Sequence, residues 1–309
     1  AGLEPIFDVR SSQLAARNSS SNHLLLPPES LMIREEAERE AFHLKRRFSF
    51  TQLAAFRKCP LQYKFAHVYR IPILGTYQKS FGQSIHLALH DILAQHVDRG
   101  TSKQGDLFDQ PPSAICHLPA CGFRVTRDEA LKIFESRWID EWYPTRWIHD
   151  QYFIEGKDAI RRMHETWSAV PPDVAFLERP FEWRINEHSL KGSVDRIDRL
   201  SDGRYAIFDY KTGAPKVARE LETADKEQLW IYQLAMEERG LPLATLSYVY
   251  VKSGTQVDVP MLQGSAREAF QSGLLERMNE ILGSRFRPTP APPICTYCDF
   301  KNICEFRRL

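Results

Sequence analysis

Two acidic residues and a lysine stand at strand-like positions in the second half of the chain: Asp195 in "GSVDRID", then Asp209 and Lys211 in "FDYKTG". Residues two apart on a strand share a face, so Asp209 and Lys211 point one way while Phe208 and Tyr210 point into the layer behind. A neighbouring antiparallel strand would bring Asp195 beside Asp209. Two carboxylates that close repel each other unless a cation lies between them. Hard oxygen ligands of this kind suit Mg²⁺ or Mn²⁺, which acidify bound water and withdraw charge from a phosphoryl oxygen. A lysine alongside stabilises developing negative charge. The competing reading is a surface salt-bridge ladder of Asp195, Arg196, Asp198 and Arg199, with Asp209 and Lys211 an ordinary strand-end pair. A second group with chemistry lies near the C-terminus, where "CTYCDFKNIC" spaces Cys295, Cys298 and Cys304 as C-x2-C-x5-C. Three thiols are one short of the usual four metal ligands.

The elements that must hold these groups can be read from periodicity and caps. Residues 1 to about 46 form a polar, Pro-bearing linker with a charged peripheral helix. Ser49 and Gln52 fit a capping box for a helix reaching about Phe65, with a possible break at Pro60. Ile85, Leu89, Ile92 and Leu93 make one stripe of a helix over about Ser80–Val97. Residues 99 to 124 form an irregular insertion, followed by helices over about Arg127–Trp142 and Gln151–Ala169. Then the period shortens: "AFLERPFEWRI", "SLKGSVDRIDRL" and "RYAIFDYK" read as three strands. A helix over Thr223–Arg239, the strand "TLSYVYVK" and a helix over Ser265–Leu282 follow. Helices, a three-strand meander, a helix and another strand predict an α/β fold with a central mixed sheet flanked by helices.

Bulk properties narrow the class. The 309 residues are ample for a large core, and 43% hydrophobic with 26% charged residues is a globular balance. A net charge of +1 supplies no global field for a polyanion, so nucleic acid would be held by a local patch. No apolar run spans a bilayer and no signal peptide opens the chain, so a cytoplasmic, reducing setting is expected. Two of the closely spaced cysteine pairs would close very short loops, which argues against three disulfides. The chain opens on Ala1-Gly2, which fits a piece of a longer protein. It contains no G-x-x-x-x-G-K-[ST] phosphate loop.

Taken with three further motifs, "GSVDRID…FDYKTG" resembles the D-x(n)-[D/E]-x-K pattern of the PD-(D/E)XK nuclease superfamily, and more narrowly its RecB/AddB-type branch. "FGQSIHLAL" resembles the branch's G-x-x-x-H motif, making His86 a candidate metal ligand. "EQLWIYQLA" resembles its Q-x-x-x-Y helix, with Gln228 and Tyr232 on one face. "FLERPF" supplies Glu178 where the branch often carries a first-strand acid. Each also has a structural reading alone: His86 as a packing histidine, Gln228 and Tyr232 as a polar edge, Glu178 as an outward strand residue. His90, four residues after His86, does not make a zinc-protease motif, since Leu87 stands where that motif needs Glu.

The resemblance implies a restriction-endonuclease-like core over 47–309 with a helical insertion over about 99–170. It implies a metal held by His86, Asp195, Asp209 and the Tyr210 carbonyl, with Lys211 at the nucleophile and Gln228 and Tyr232 bracing the site. In the iron–sulphur members one upstream cysteine joins the terminal three. On that likeness Cys59, Cys295, Cys298 and Cys304 ligate a [4Fe–4S] cluster joining the two ends of the domain, with structural zinc as the competitor. Cys116 and Cys121 have no place in the pattern. The implied activity is Mg²⁺- or Mn²⁺-dependent hydrolysis of DNA, as an exonuclease leaving 5′-phosphate ends. Arg57, Lys58 and Lys64 are candidate phosphate contacts. The implied context is the nuclease domain of a helicase–nuclease in double-strand-break repair, its motor on the same chain or a partner subunit. A standalone CRISPR-adaptation-type exonuclease and a catalytically idle DNA-binding scaffold are the alternatives.

Overall fold

The first helix begins as its capping box predicts: the Gln52 N–H donates to Ser49 Oγ at 3.3 Å and the Ser49 N–H donates to Gln52 Oε1 at 2.8 Å. The computed structural model describes residues 46–99 and 122–308. In it this helix, α1, covers Phe50–Lys58 and stops well short of Phe65. Pro60 disfavours helical backbone at the residue before it, and Cys59 is accordingly extended (φ −162°, ψ 117°) before a short α2, Pro60–Tyr63. A single π-helical turn follows, Lys64–Val68. The linker to residue 45, nearly all of the insertion, and Cys116 and Cys121 lie outside the described residues.

Helix α3 (Tyr77–Asp98) is capped by Thr76 and buries Ile85, Leu89, Ile92 and Leu93, the stripe expected. Helix α4 covers only Arg127–Ser136, and α5 starts early, at Arg146, running to Ala169. The early start follows from Thr145, whose Oγ1 accepts from the Ile148 N–H at 3.2 Å, a cap hidden among aromatic residues. The strands are β1 (Arg47–Ser49), β2 (Val174–Ile185), β3 (His188–Arg199), β4 (Tyr205–Lys211), β5 (Leu243–Tyr250) and β6 (Thr255–Val259). Helix α6 (Thr223–Glu238) connects β4 to β5; α7 (Gly264–Gly283) and the short α8 (Pro292–Thr296) complete the order. β1, β6 and α8 are too short to carry a periodic signal in sequence.

The sheet is mixed, in the order β1-β3-β4-β5-β6 with β2 also paired to β3. β2/β3, β3/β4 and β5/β6 are antiparallel; β1/β3 and β4/β5 are parallel, the latter pair joined by α6. One face carries Ile207, Leu246 and Tyr248 and packs with α1, α6 and α7. The other carries Ala206, Phe208 and Tyr210 and packs with α3, α4 and α5. That split is the period-2 alternation of β4, and it places Asp209 and Lys211 toward α6. Among the described residues no helix is long and apolar enough to cross a membrane.

The surface-ladder alternative fails at its centre. Arg196 and Asp198 are buried, at 5% and 7% exposure. The Arg196 guanidinium lies 4.0 Å from the Phe208 ring centroid and donates to the Tyr210 hydroxyl at 2.9 Å, with Asp198 3.1 Å from its Nε. Burial pushes the Asp198 carboxyl up to about 6, against the pull of Arg196. Burial opposes the charge on Arg196 too, but Asp198 and Tyr210 reverse that effect, so the desolvation cost falls on the acid. A folded-state value above the ordinary one of about 3.9 means the native state binds this proton more tightly than the unfolded chain. The resulting stabilisation is full below about pH 4 and is lost as pH rises through about 6. Denaturant titrations at about pH 4.5 and about pH 7 should show the parent losing on the order of 2 kcal/mol more than Asp198→Asn over that interval. Parallel losses in the two proteins would contradict the assignment.

Candidate active site and thiol cluster

The backbone pairing of β3 with β4 runs from Arg199↔Tyr205 to Arg196↔Phe208 and stops there. Beyond that point the Tyr210 N–H donates to the Asp195 carboxylate, at 2.8 Å to Oδ2, in place of a cross-strand carbonyl. On the other side of the same residue, the Tyr210 carbonyl lies 3.1 Å from His86 Nε2 on α3. His86 Nδ1 in turn is 3.4 Å from Asp195 Oδ2. One tyrosine main chain therefore ties a helix histidine and a strand carboxylate together.

Glu178 enters from β2. Its neighbours Leu177 and Arg179 pair with Arg196 and Val194, the residues flanking Asp195. Its own φ is +45°, a left-handed value that costs a non-glycine residue free energy. The strand alternation slips here on both strands. Phe181, Trp183 and Ile185 face the same core as Phe176, and Val194 the same core as Ile197, although each jump spans an odd number of residues. A paired irregularity of this sort re-aims side chains, and Glu178 and Asp195 are the two it re-aims. Among the described residues, His86, Glu178 and Asp195 are the one set of three metal-ligating side chains whose ligand atoms all lie within 4.8 Å of one another. The sequence pointed to Glu178 only loosely, as a first-strand acid.

Asp209, on β4, is turned toward α6. Its Oδ1 accepts from Gln228 Nε2 at 2.8 Å and lies 3.5 Å from the Tyr232 hydroxyl, and its Oδ2 is 2.7 Å from Lys211 Nζ. Gln228 Oε1 accepts from Lys211 Nζ at 2.8 Å and its second N–H reaches the Tyr232 hydroxyl at 2.7 Å. This network fixes the amide orientation, because the reversed amide would set an oxygen against the carboxylate. The Lys211 ammonium also lies 4.8 Å from the Tyr248 ring centroid. Burial pushes the Tyr232 hydroxyl well up, and the charges of Asp209 and Asp195 add to it, so it stays a neutral phenol.

Burial likewise raises the Asp195 carboxyl well above the ordinary range. Asp209 and Glu178 raise it further, while the Tyr210 N–H and Lys211 pull it down. Acids that suppress each other's ionisation are the donor set a divalent cation would relieve, so these residues fit Mg²⁺ or Mn²⁺. His90 stands apart from the set, bonded through Nδ1 to Asp91 at 2.9 Å.

A profile of the PD-(D/E)XK nuclease superfamily matches residues 47–305. The chain belongs to that superfamily. Among curated proteins it is similar to the Gene 69 protein of Mycobacterium phage D29, 22% identical over 289 residues, 83% of this chain and 95% of that protein. Among solved structures it is similar to SSO0001, at 14% identity and TM-score 0.41 over 91% of this chain and 97% of that one. Membership in a PD-(D/E)XK nuclease family accounts for the order of the parts: an acid on β3, an acid and a lysine on β4.

This PD-(D/E)XK chain also brings its distant cysteines together. Cys59, Cys295, Cys298 and Cys304 line one pocket with Phe65 and Phe300, and the two rings pack edge to face at 5.4 Å. Burial pushes the Cys298 thiol up, and neighbouring Cys59 and Cys304 add to it. Of the three candidate phosphate contacts, Lys58 is exposed and Lys64 lies 4.9 Å from the Tyr69 ring centroid. Arg57 is committed elsewhere, to the buried carboxylate of Glu227.

Proposed function

We propose that the chain is a divalent-metal-dependent deoxyribonuclease of the exonuclease kind. The observation that carries this reading is the convergence of His86, Glu178 and Asp195 beside the Asp209–Lys211–Gln228 network. His86, Glu178, Asp195, Asp209 and the Tyr210 carbonyl would hold Mg²⁺ or Mn²⁺. A cation there supplies a more acidic bound water and neutralises charge on the phosphoryl group. The Lys211 ammonium donates to Gln228 and is ion-paired with Asp209, which would set it where it can hold the attacking water or a phosphate oxygen. Gln228 and Tyr232 keep that ammonium and the Asp209 carboxylate in register.

The four thiols, in this reading, carry a [4Fe–4S] cluster. What supports iron over zinc is the likeness of the C-x2-C-x5-C spacing, with one cysteine upstream, to the iron–sulphur members of the branch. Its role is structural: it closes the domain by joining α1 to the C-terminal loop. The wider setting we propose is a helicase–nuclease that processes DNA ends in repair, with Lys58 and Lys64 near the phosphate backbone.

The test is an assay of the purified protein on labelled linear single- and double-stranded DNA with Mg²⁺, Mn²⁺ or EDTA. Cleavage should need a divalent ion and fall about 100- to 1,000-fold in Lys211→Ala, the scale of losing one charge-stabilising donor. DNA binding without cleavage by the parent would favour a scaffold. Cleavage unchanged by Lys211→Ala would remove the lysine from the reaction.

A further inference from the structure

Glu227 is the most deeply buried acid on α6, at 1% exposure, and it immediately precedes Gln228. Its two carboxylate oxygens are taken by two arginines from different elements: Oε2 by Arg57 of α1 and Oε1 by Arg277 of α7. Both guanidinium groups reach in from the surface, with side chains 36% and 27% exposed. Neighbouring residues on a helix point about 100° apart, so Glu227 faces α1 and α7 while Gln228 faces the sheet. The arrangement clamps the first turns of α6 at the level where the Gln228 amide spans Lys211, Asp209 and Tyr232.

We infer that Glu227 is a positioning residue: clamped by Arg57 and Arg277, it sets where Gln228 holds the Lys211 ammonium and the Asp209 carboxylate. A carboxylate so fully buried must be paired by good geometry, and two guanidinium partners satisfy both oxygens. The apolar residues of α6, Leu229 and Ile231 among them, hold the helix on the sheet but leave sliding and rotation to be fixed by directional contacts. The inference rests on the nuclease reading of this site. It also gives Arg57 a task other than contacting phosphate.

The experiment uses the full chain with Mg²⁺, comparing the parent with Glu227→Gln, Arg57→Gln and Arg57→Lys on one DNA substrate over a range of salt. Glu227→Gln and Arg57→Gln should lower kcat about 10- to 100-fold, as a misplacement of about 1 Å does. KM and its salt dependence should stay at parental values, and Arg57→Lys should recover most of the rate. Near-ultraviolet circular dichroism establishes that each variant is folded; if Glu227→Gln is not, the two Arg57 variants decide alone. A folded Arg57→Gln with parental kcat overturns the inference. So does a loss confined to KM with the salt slope reduced by about one, because that marks Arg57 as a phosphate contact. A folded parent that cleaves nothing with Mg²⁺, nor with Mn²⁺ in its place, instead sinks the nuclease reading, and the positioning role with it.

Discussion

Asp209→Asn should abolish metal-dependent cleavage, lowering the rate about 1,000-fold or more, with the fold kept. Asp209 is buried to 2% exposure and stands where the two halves of the site meet. Its carboxylate organises Lys211, Gln228 and Tyr232, and its charge acts on Asp195. Asparagine has the same shape and keeps an acceptor for Gln228, but it removes the negative charge a cation needs. Stability should change little, because losing the Lys211 pair is offset by relief of the repulsion between the two acids. The check is single-turnover cleavage beside a thermal melt of both proteins. Activity within tenfold of the parent would falsify the assignment of Asp209 as the central acid.

The second large effect belongs to the thiols. Cys59 and Cys295 stand roughly 240 residues apart, and a link between them closes nearly the whole domain. In the chain-entropy picture, closing a loop of that length stabilises the native state by about 5 kcal/mol. Cys59→Ser should therefore lower the melting temperature by about 10 °C or more, at about 2–4 °C per kcal/mol for a domain of this size. If the thiols carry the proposed iron–sulphur cluster, the substitution should also bleach its visible absorption, measured on protein purified without oxygen. If Cys59→Ser retains both its colour and its melting temperature, Cys59 is not part of the clip.

Much of the site was legible because it obeys simple periods. Asp209 and Lys211 share a face by strand alternation, and Gln228 and Tyr232 share one by the helical turn. The structure joins the two pairs through direct hydrogen bonds. Illegible were the features that depend on partners far away in sequence. Arg57 reads as one more surface cation, and only the folded chain shows the buried acid it meets. The run "DRIDR" reads as a solvated ladder, yet Arg196 and Asp198 lie beneath α5 because aromatic rings cover them. Cys59 reads as a mid-helix residue until the constraint from Pro60 is applied. Glu178 was hardest, since its irregular backbone carries no glycine to announce it.

That backbone has a further consequence. With φ at +45°, Glu178 sits in a conformation glycine adopts without penalty and other residues adopt at a cost of on the order of 1 kcal/mol. Glu178→Gly should therefore melt no lower than the parent while its affinity for Mn²⁺, followed by electron paramagnetic resonance, falls. A chain selected for durability alone would drift to glycine at this position. On the proposed metal site, an acid at 178 trades robustness for reactivity, so a variant hardened at this position should lose metal affinity as it gains stability.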